Sequence, residues 1–352
     1  MTIDVNKYLI HSDLTVVQVM KQIDDGTKGI VYVVDDNGRL IGSVTDGDIR
    51  RWLIKTVDLN ATVKDFMSVS TKFIYPFEED KAEKYLDKYS INSIPIVDKD
   101  KKVLDIVFRN FSEKINDSVK SEILIDVPVV IMAGGKGTRL YPYTMVFPKP
   151  LIPVAGTPIV ERIIKDLCDK GVQTFYLSVN YKKSMVKSYF EDLNLPCTIK
   201  YIEEDKPLGT GGSLKLIKDK LKVPFIVTNC DTLIRTDISD AYEQHINSSN
   251  PMTIVSSLKN ITVPYGVLQV DEDCTLRKLQ EKPMHSYFIN TGMYIVNPEV
   301  LDMIPDGEFF HMTHLAQSCM DNGMKVGIYP ISEDSFLDMG EFEEMKRMEE
   351  KL

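Results

Sequence analysis

The stretch VVIMAGGKGTRLYP, residues 129–142, runs four apolar residues straight into a loop holding three glycines and an arginine. An apolar run without alternation is a strand covered on both faces, the situation of a sheet sandwiched between helices. Gly134, Gly135 and Gly137 then let the backbone come close to a ligand and turn its N–H groups inward as an anion-binding concavity. Arg139 adds a planar, fixed positive fork suited to phosphate oxygens. The loop reads G-G-x-G-T-R, so it is neither the G-x-G-x-x-G dinucleotide fingerprint nor a P-loop.

The pattern around this junction is strands alternating with helices. VPVVIMA, TFYLSVN and PFIVTNCD read as buried strands, and Ile159, Ile163, Ile164 and Leu167 recur on one helical face between the first two. The expected fold class is α/β, a Rossmann-like, mostly parallel sheet with helices on both faces. Ligands of such sheets bind beyond the carboxyl ends of the strands, where the glycine loop and Asp231 of TNCD both fall. Lys149 stands between two prolines that stiffen its backbone, which suits it to neutralise charge at a fixed point.

Residues 1–120 are organised differently. Residues 15–44 align with 78–107 without a gap, each copy reading helix, strand, polar turn, strand. Neither copy is large enough to bury a core alone, so the two should pack together as a small α+β module. Residues 112–126 are polar, with helix-compatible spacing at Ile115, Val119 and Ile123, and read as a connection. The expected division is 1–120 and 121–352.

Bulk properties exclude several classes. A net charge of −10 disfavours nucleic acid as a partner. The first residues lack a secretory pattern and no apolar segment nears the roughly 18 residues of a membrane span, so a cytoplasmic protein without membrane contact is expected. The five cysteines contain no C-x-x-C pair and read as free, mostly buried thiols. His311 and His314, in HMTH, read as helix-start or core residues, and Met345, Met348 and Leu352 as one packing side of a terminal helix.

Two resemblances add to this. GRLIGSVTDGDIRRWL, TVKDFM and SIPIVDKDKKVLDIV resemble a tandem pair of cystathionine-β-synthase (CBS) domains, which often bind adenine nucleotides and regulate a neighbouring enzyme. The resemblance puts the ligand-contacting T-x-x-D element at Thr45 and Asp48; Phe108 and Phe111 at the equivalent places imply that the second site is lost. The alternative is a module for packing or dimerisation alone.

AGGKGTRL with PKPLIPVAGTPIV resembles the signature of the sugar-nucleotide pyrophosphorylases over about residues 127–350. EEDKPLGTGGSL, TNCD, EKP, NTGMYIV and FLDMG follow in the family's order. The resemblance implies an enzyme that joins a nucleoside triphosphate to a sugar-1-phosphate and releases pyrophosphate. It assigns the triphosphate to Ala133, Gly134, Gly135, Gly137, Thr138 and Arg139, with Lys149 near the reacting phosphates. Asp231 and Asp338 would hold Mg²⁺, and Gly209, Thr210, Gly211 and Gly212 would lie along the nucleobase. Glu281, Lys282, Asn290 and Thr291 would face the sugar and its phosphate.

PLGTGG is similar to the turn of mannose-1-phosphate guanylyltransferases. The order of CBS pair then transferase resembles the glucosamine-1-phosphate guanylyltransferases of legionaminic-type (nonulosonic) acid synthesis, which implies GTP and an aminohexose-1-phosphate. Uridylyl, cytidylyl and thymidylyl transfer to another hexose-1-phosphate are the alternatives within the class; outside it stands a nucleotide sensor that has lost catalysis. Assembly as a homo-oligomer is expected.

Overall fold

The computed structural model describes residues 4–26, 28–89, 91–109 and 124–351. The chain forms two compact units, one of residues 1–117 with 260–287 and one of residues 118–259 with 288–352. A contiguous division at residue 120 does not anticipate the grouping of 260–287 with the first unit, since local periodicity carries no trace of it. The expected connection at 112–126 lies mostly outside the described residues, as do Phe111 and Leu352.

In the first unit, β1 (Leu9–His11), β2 (Ile30–Val34) and β3 (Leu40–Thr45) form one sheet, with α1 (Val16–Gly26) ahead of β2 and α2 (Asp46–Thr56) after β3. The second copy supplies α3 (Ala82–Tyr89) and the hairpin β4 (Ser93–Val97)–β5 (Val103–Phe108). The repeat survives as hydrogen-bond register: Ile30 faces Thr45 as Ser93 faces Phe108, and both hairpins shift register at the equivalent place. The turns are closed alike, Asp35 accepting the N–H of Asn37 and Arg39, and Asp98 that of Asp100 and Lys102. Tyr8, Tyr32 and Leu40 share one core with Val97 and Ile106, so the copies do pack together.

The second unit is built on a seven-stranded sheet. Its strands are β6 (Val129–Met132), β7 (Thr174–Val179), β8 (Thr198–Glu203) and β9 (Phe225–Asn229), with β11 (Met252–Thr262), β14 (Met284–Val296) and β15 (Val326–Ile331). The order is β8-β7-β6-β9-β14-β11-β15. β8, β7, β6 and β9 pair in parallel, β14 lies antiparallel to β9, and β15 pairs in parallel with β11. Outside this sheet, β10 (Thr232–Ile234) pairs antiparallel with β16 (Phe336–Asp338). Between β11 and β14 the chain leaves to form the hairpin β12 (Val267–Val270)–β13 (Leu276–Gln280).

Alternate side chains of the central strands enter two separate cores. Val129, Ile131, Phe175, Leu177 and Ile226 meet α4 (Ile159–Asp169), together with Val186 and Phe190 of α5 (Lys183–Glu191) and Ile238 and Ala241 of α7 (Ile238–Ser248). Val130, Met132, Tyr176, Phe225 and Val227 meet Leu214, Ile217 and α8 (Met312–Asp321) on the other face. Helices therefore cover both faces, as the unbroken apolar runs require. Met348 of α9 (Phe342–Lys351) is buried in the first of these cores and Met345 packs against it. Cys168, Cys230 and Cys319 are buried thiols, whereas Cys274 is exposed. Among the described residues no helix is long and apolar enough to cross a membrane.

The one-turn helix α6 (Gly209–Gly212) shows why its glycines are there. The N–H groups of Gly211 and Gly212 both donate to the Phe310 carbonyl at 2.9 Å. Gly209 has φ +77°, and a Cβ on it would lie 2.6 Å from that same oxygen. Gly209→Ala should therefore destabilise this unit by about 1–3 kcal/mol in denaturant unfolding. Gly307→Ala, at φ +66° but with nothing within 4 Å, should lose only about 1 kcal/mol.

Candidate active site

In the larger unit, parallel pairing brings the chemically interesting residues to one sheet edge. Asn229 at the end of β9 is in register with Met132 at the end of β6, so the glycine loop and Asp231 leave neighbouring strands side by side. Val179 and Glu203 end β7 and β8 at matching positions, which adds Asn180 and Glu204 to the same edge.

The glycine loop is packed at two of its three glycines and open at the third. A Cβ on Gly134 would lie 3.1 Å from Glu204 Oε1 and 3.3 Å from Asn180 Cβ. Gly137 has φ +64°, and a Cβ there would come within 2.9 Å of both Lys149 Cβ and Thr144 Cγ2. Gly135 meets nothing within 4 Å, so its backbone is the part of the loop that a ligand can approach. Ala133 is buried, its N–H donating to the Ser178 carbonyl at 2.8 Å. Thr138 and Arg139 are exposed in the short 3₁₀ turn Thr138–Leu140, for which Gly137 is the N-cap.

Asp231 and Asp338 are brought together by the β10–β16 ladder. Thr232 lies directly opposite Asp338, and the Met339 N–H donates to the Asp231 carbonyl at 2.9 Å. Lys149 is ion-paired with Asp231, both side chains being nearly buried. Burial opposes the Lys149 ammonium, but the acidic groups around it, Asp231 first, and the hydrogen bond to Asp231 outweigh it, so its pKa is raised. Burial, then the negative charge of Asp231, raise the pKa of Asp338 against the pull of Lys149 and Arg139. The Cys230 thiol is pushed up to about 12 by burial, which keeps it neutral and disqualifies it as a nucleophile.

The donor set suits a hard divalent cation. Thr232 pairs directly with Asp338, so their side chains share one side of the ladder, and the buried Thr232 hydroxyl has no hydrogen-bond partner among the described residues. Two carboxylates within electrostatic reach of each other match the preference of Mg²⁺ for one or two carboxylates plus water and phosphate oxygens. Among the described residues no group of three or more His, Cys, Asp or Glu is arranged to hold a metal, so a cation held by this pair would need its other ligands from substrate or water.

The remaining expectations divide. Asn290 Oδ1 accepts the Gly292 N–H at 2.9 Å, and Gly292, at φ +81°, lies against the Asn229 side chain, which puts this turn beside the strand leading to Asp231. Thr291 is buried with its hydroxyl donating to the Val255 carbonyl at 2.7 Å, so it fastens β14 to β11. Glu281 and Lys282 fall in the 260–287 excursion, which belongs to the other unit. Thr210 Oγ1 accepts the Met312 N–H at 3.2 Å, capping α8 together with His311 and His314 at its start.

Sequence reasoning missed Glu204, whose buried carboxylate accepts from Ser178 Oγ at 2.5 Å and from the Leu208 N–H at 2.9 Å. The acidic run just before KPLGTGG was its only local sign. Thr232 was also missed, because a threonine beginning an apolar strand carries no signal.

In the first unit, a cavity of about 580 Å³ lies between the two copies, lined by Thr45, Asp48 and Arg51 of one and by Tyr89, Asn92 and Ser93 of the other. Thr45 and Asp48 form a reciprocal capping box at the start of α2, and Arg51 donates to Asp48 at 2.6 Å. Phe108, where the second copy would place its threonine, instead packs on Tyr8 with ring centroids 4.8 Å apart.

The model of the family Nucleotidyl transferase matches residues 128–352, and the chain belongs to that family. A CBS domain model matches residues 4–55. Among curated relatives, a probable mannose-1-phosphate guanylyltransferase 3 of Oryza sativa subsp. japonica is 35% identical over 184 residues, 50% of this chain and 51% of the relative. A bifunctional protein GlmU of Methanococcus aeolicus is 34% identical over 177 residues, 50% of this chain and 41% of the relative. The chain thus spans about half or less of the length of these relatives. Among solved structures, HddC from Yersinia pseudotuberculosis is 30% identical with a TM-score of 0.51, covering 64% of this chain and 99% of that one.

Gly137→Ala is expected to lower turnover about 100-fold by displacing Lys149. Gly135→Ala, whose added methyl meets only open space, should leave the melting temperature unchanged; calorimetry and steady-state rates read the two effects separately.

Proposed function

We propose that the chain is a sugar-1-phosphate nucleotidyltransferase, making a nucleoside-diphosphate sugar from a nucleoside triphosphate and a hexose-1-phosphate with release of pyrophosphate. The observation that carries this reading is the meeting of Lys149, Asp231 and Asp338 beside an open glycine loop at the carboxyl edge of a parallel sheet. GTP with glucosamine-1-phosphate is the proposed substrate pair. Relatives named as mannose-1-phosphate guanylyltransferases support the guanine nucleotide and make mannose-1-phosphate the first competitor to test.

The reaction needs no protein nucleophile, because a sugar phosphate oxygen is already anionic and can attack the α-phosphorus in line. The backbone at Gly135 cradles the triphosphate, and Arg139 and Lys149 stabilise charge on the phosphates and on the departing pyrophosphate. Asp231 and Asp338 would hold a divalent ion, Mg²⁺ in this proposal, which when bound supplies further neutralisation of phosphate charge. Glu204, fixed by Ser178 and Leu208, buttresses the loop at Gly134. Asn290, in the turn beside Asn229, is assigned to the sugar phosphate.

Pyrophosphate release across a panel of the common nucleoside triphosphates against glucosamine-, mannose- and glucose-1-phosphate is the decisive assay. GTP with glucosamine-1-phosphate should give the highest kcat/KM. Preference for UTP, CTP or dTTP would sink the guanylyl assignment, and no turnover with any pair would favour a catalytically silent nucleotide sensor.

For the first unit an adenine nucleotide is the proposed effector. The cavity supports this through the Thr45 and Asp48 pair with Lys28, Arg51 and Lys72, cations suited to phosphate. Calorimetry on the full chain should detect AMP or ATP binding that Arg51→Ala weakens about tenfold. Absence of binding would leave the unit as a packing or dimerisation module.

A further inference from the structure

We propose that Lys149 is the resident counter-cation of the Asp231–Asp338 pair in the unliganded protein, and that it excludes a free divalent ion until phosphate oxygens draw its ammonium away. This inference rests on the reading of Asp231 and Asp338 as cation ligands.

Asp231 and Asp338 carry two negative charges, Lys149 pairs with Asp231, and Arg139 Nη1 reaches the Asp338–Gly340 turn, 3.4 Å from where a Gly340 Cβ would stand. The four charges cancel, so side-chain cations already offset the two carboxylates that would attract a divalent cation. A cation entering alone must displace the ammonium from Asp231 and leave it unpaired in a nearly buried place, which is unfavourable. Entry together with a triphosphate is different, because its oxygens offer the ammonium a new partner.

The geometry permits such a handover at the tip of the side chain. Pro148 and Pro150 flank Lys149 in the short turn Lys149–Leu151, and Pro150 and Leu151 are buried, so the backbone is held. The stem lies against Gly137, its Cβ and Cδ 2.9 and 3.3 Å from where a Gly137 Cβ would be. Only the end of the chain is free to turn from Asp231 toward the glycine loop. Lys149 therefore couples nucleotide and metal, and favours arrival of the two as one complex.

Mn²⁺ binding to the full chain without nucleotide, followed by electron paramagnetic resonance, tests the proposal. Lys149→Gln, which keeps a hydrogen-bonding group for Asp231, should bind Mn²⁺ about tenfold more tightly than the natural protein. Asp231→Asn should abolish binding in either background, and circular dichroism establishes that each variant is folded. In the natural protein, saturating Mn²⁺ should also speed reductive methylation of Lys149 severalfold, read by peptide mass spectrometry, because the displaced amine is released from its ion pair. Equal Mn²⁺ affinity in Lys149→Gln and the natural protein, lost in Asp231→Asn, would overturn the competition and leave the cation site standing. Unchanged Lys149 labelling while Mn²⁺ binds would also overturn it. Mn²⁺ binding that survives Asp231→Asn, or is absent throughout, would overturn both readings.

Discussion

The larger unit depends on one constraint: its central strands are covered on both faces. Val129–Met132 and Phe225–Val227 alternate between two helix-lined cores, so no polar side chain can be accommodated along their length without a partner. Chemistry is confined to the places where these strands stop. Because β6, β7, β8 and β9 run parallel, they stop at the same edge. The glycine loop, Asn180, Glu204 and Asp231 are neighbours for that reason alone.

The second level of organisation is electrostatic. An edge that gathers two acids in a nearly buried place is unfavourable unless cations offset them, and Lys149 and Arg139 do so. Gly137 is part of this arrangement, since its missing side chain is the space in which Lys149 lies. A backbone feature and a charge feature are thus one device, and the loop cannot be altered without moving the lysine.

The first unit obeys a different rule, duplication. Equal offsets produce equal hairpin registers and equal turn closures, and the two copies bury what neither could bury alone. They diverge at the last residue of the second strand, where Thr45 caps a helix and Phe108 packs on an aromatic ring. A cavity between two unequal copies is therefore asymmetric, with a hydroxyl and a carboxylate supplied from one side.

The sequence by itself determined the doubly covered sheet, the repeat and the strand-end acid, because unbroken apolar runs, a gapless offset and a polar residue closing a buried run are local facts. It also determined the glycine loop, though not why its glycines differ. Gly135 is open while Gly134 and Gly137 are hemmed in by Glu204 and Lys149, residues 70 and 12 positions away in the chain. Only tertiary structure decided that Thr232 would stand opposite Asp338, that Gly209, Gly211 and Gly212 serve the backbone at 308–311, and that residues 260–287 group with the first unit. Each of these rests on pairing between distant segments, and hydrogen-bond register and close packing leave no periodic mark in either partner alone.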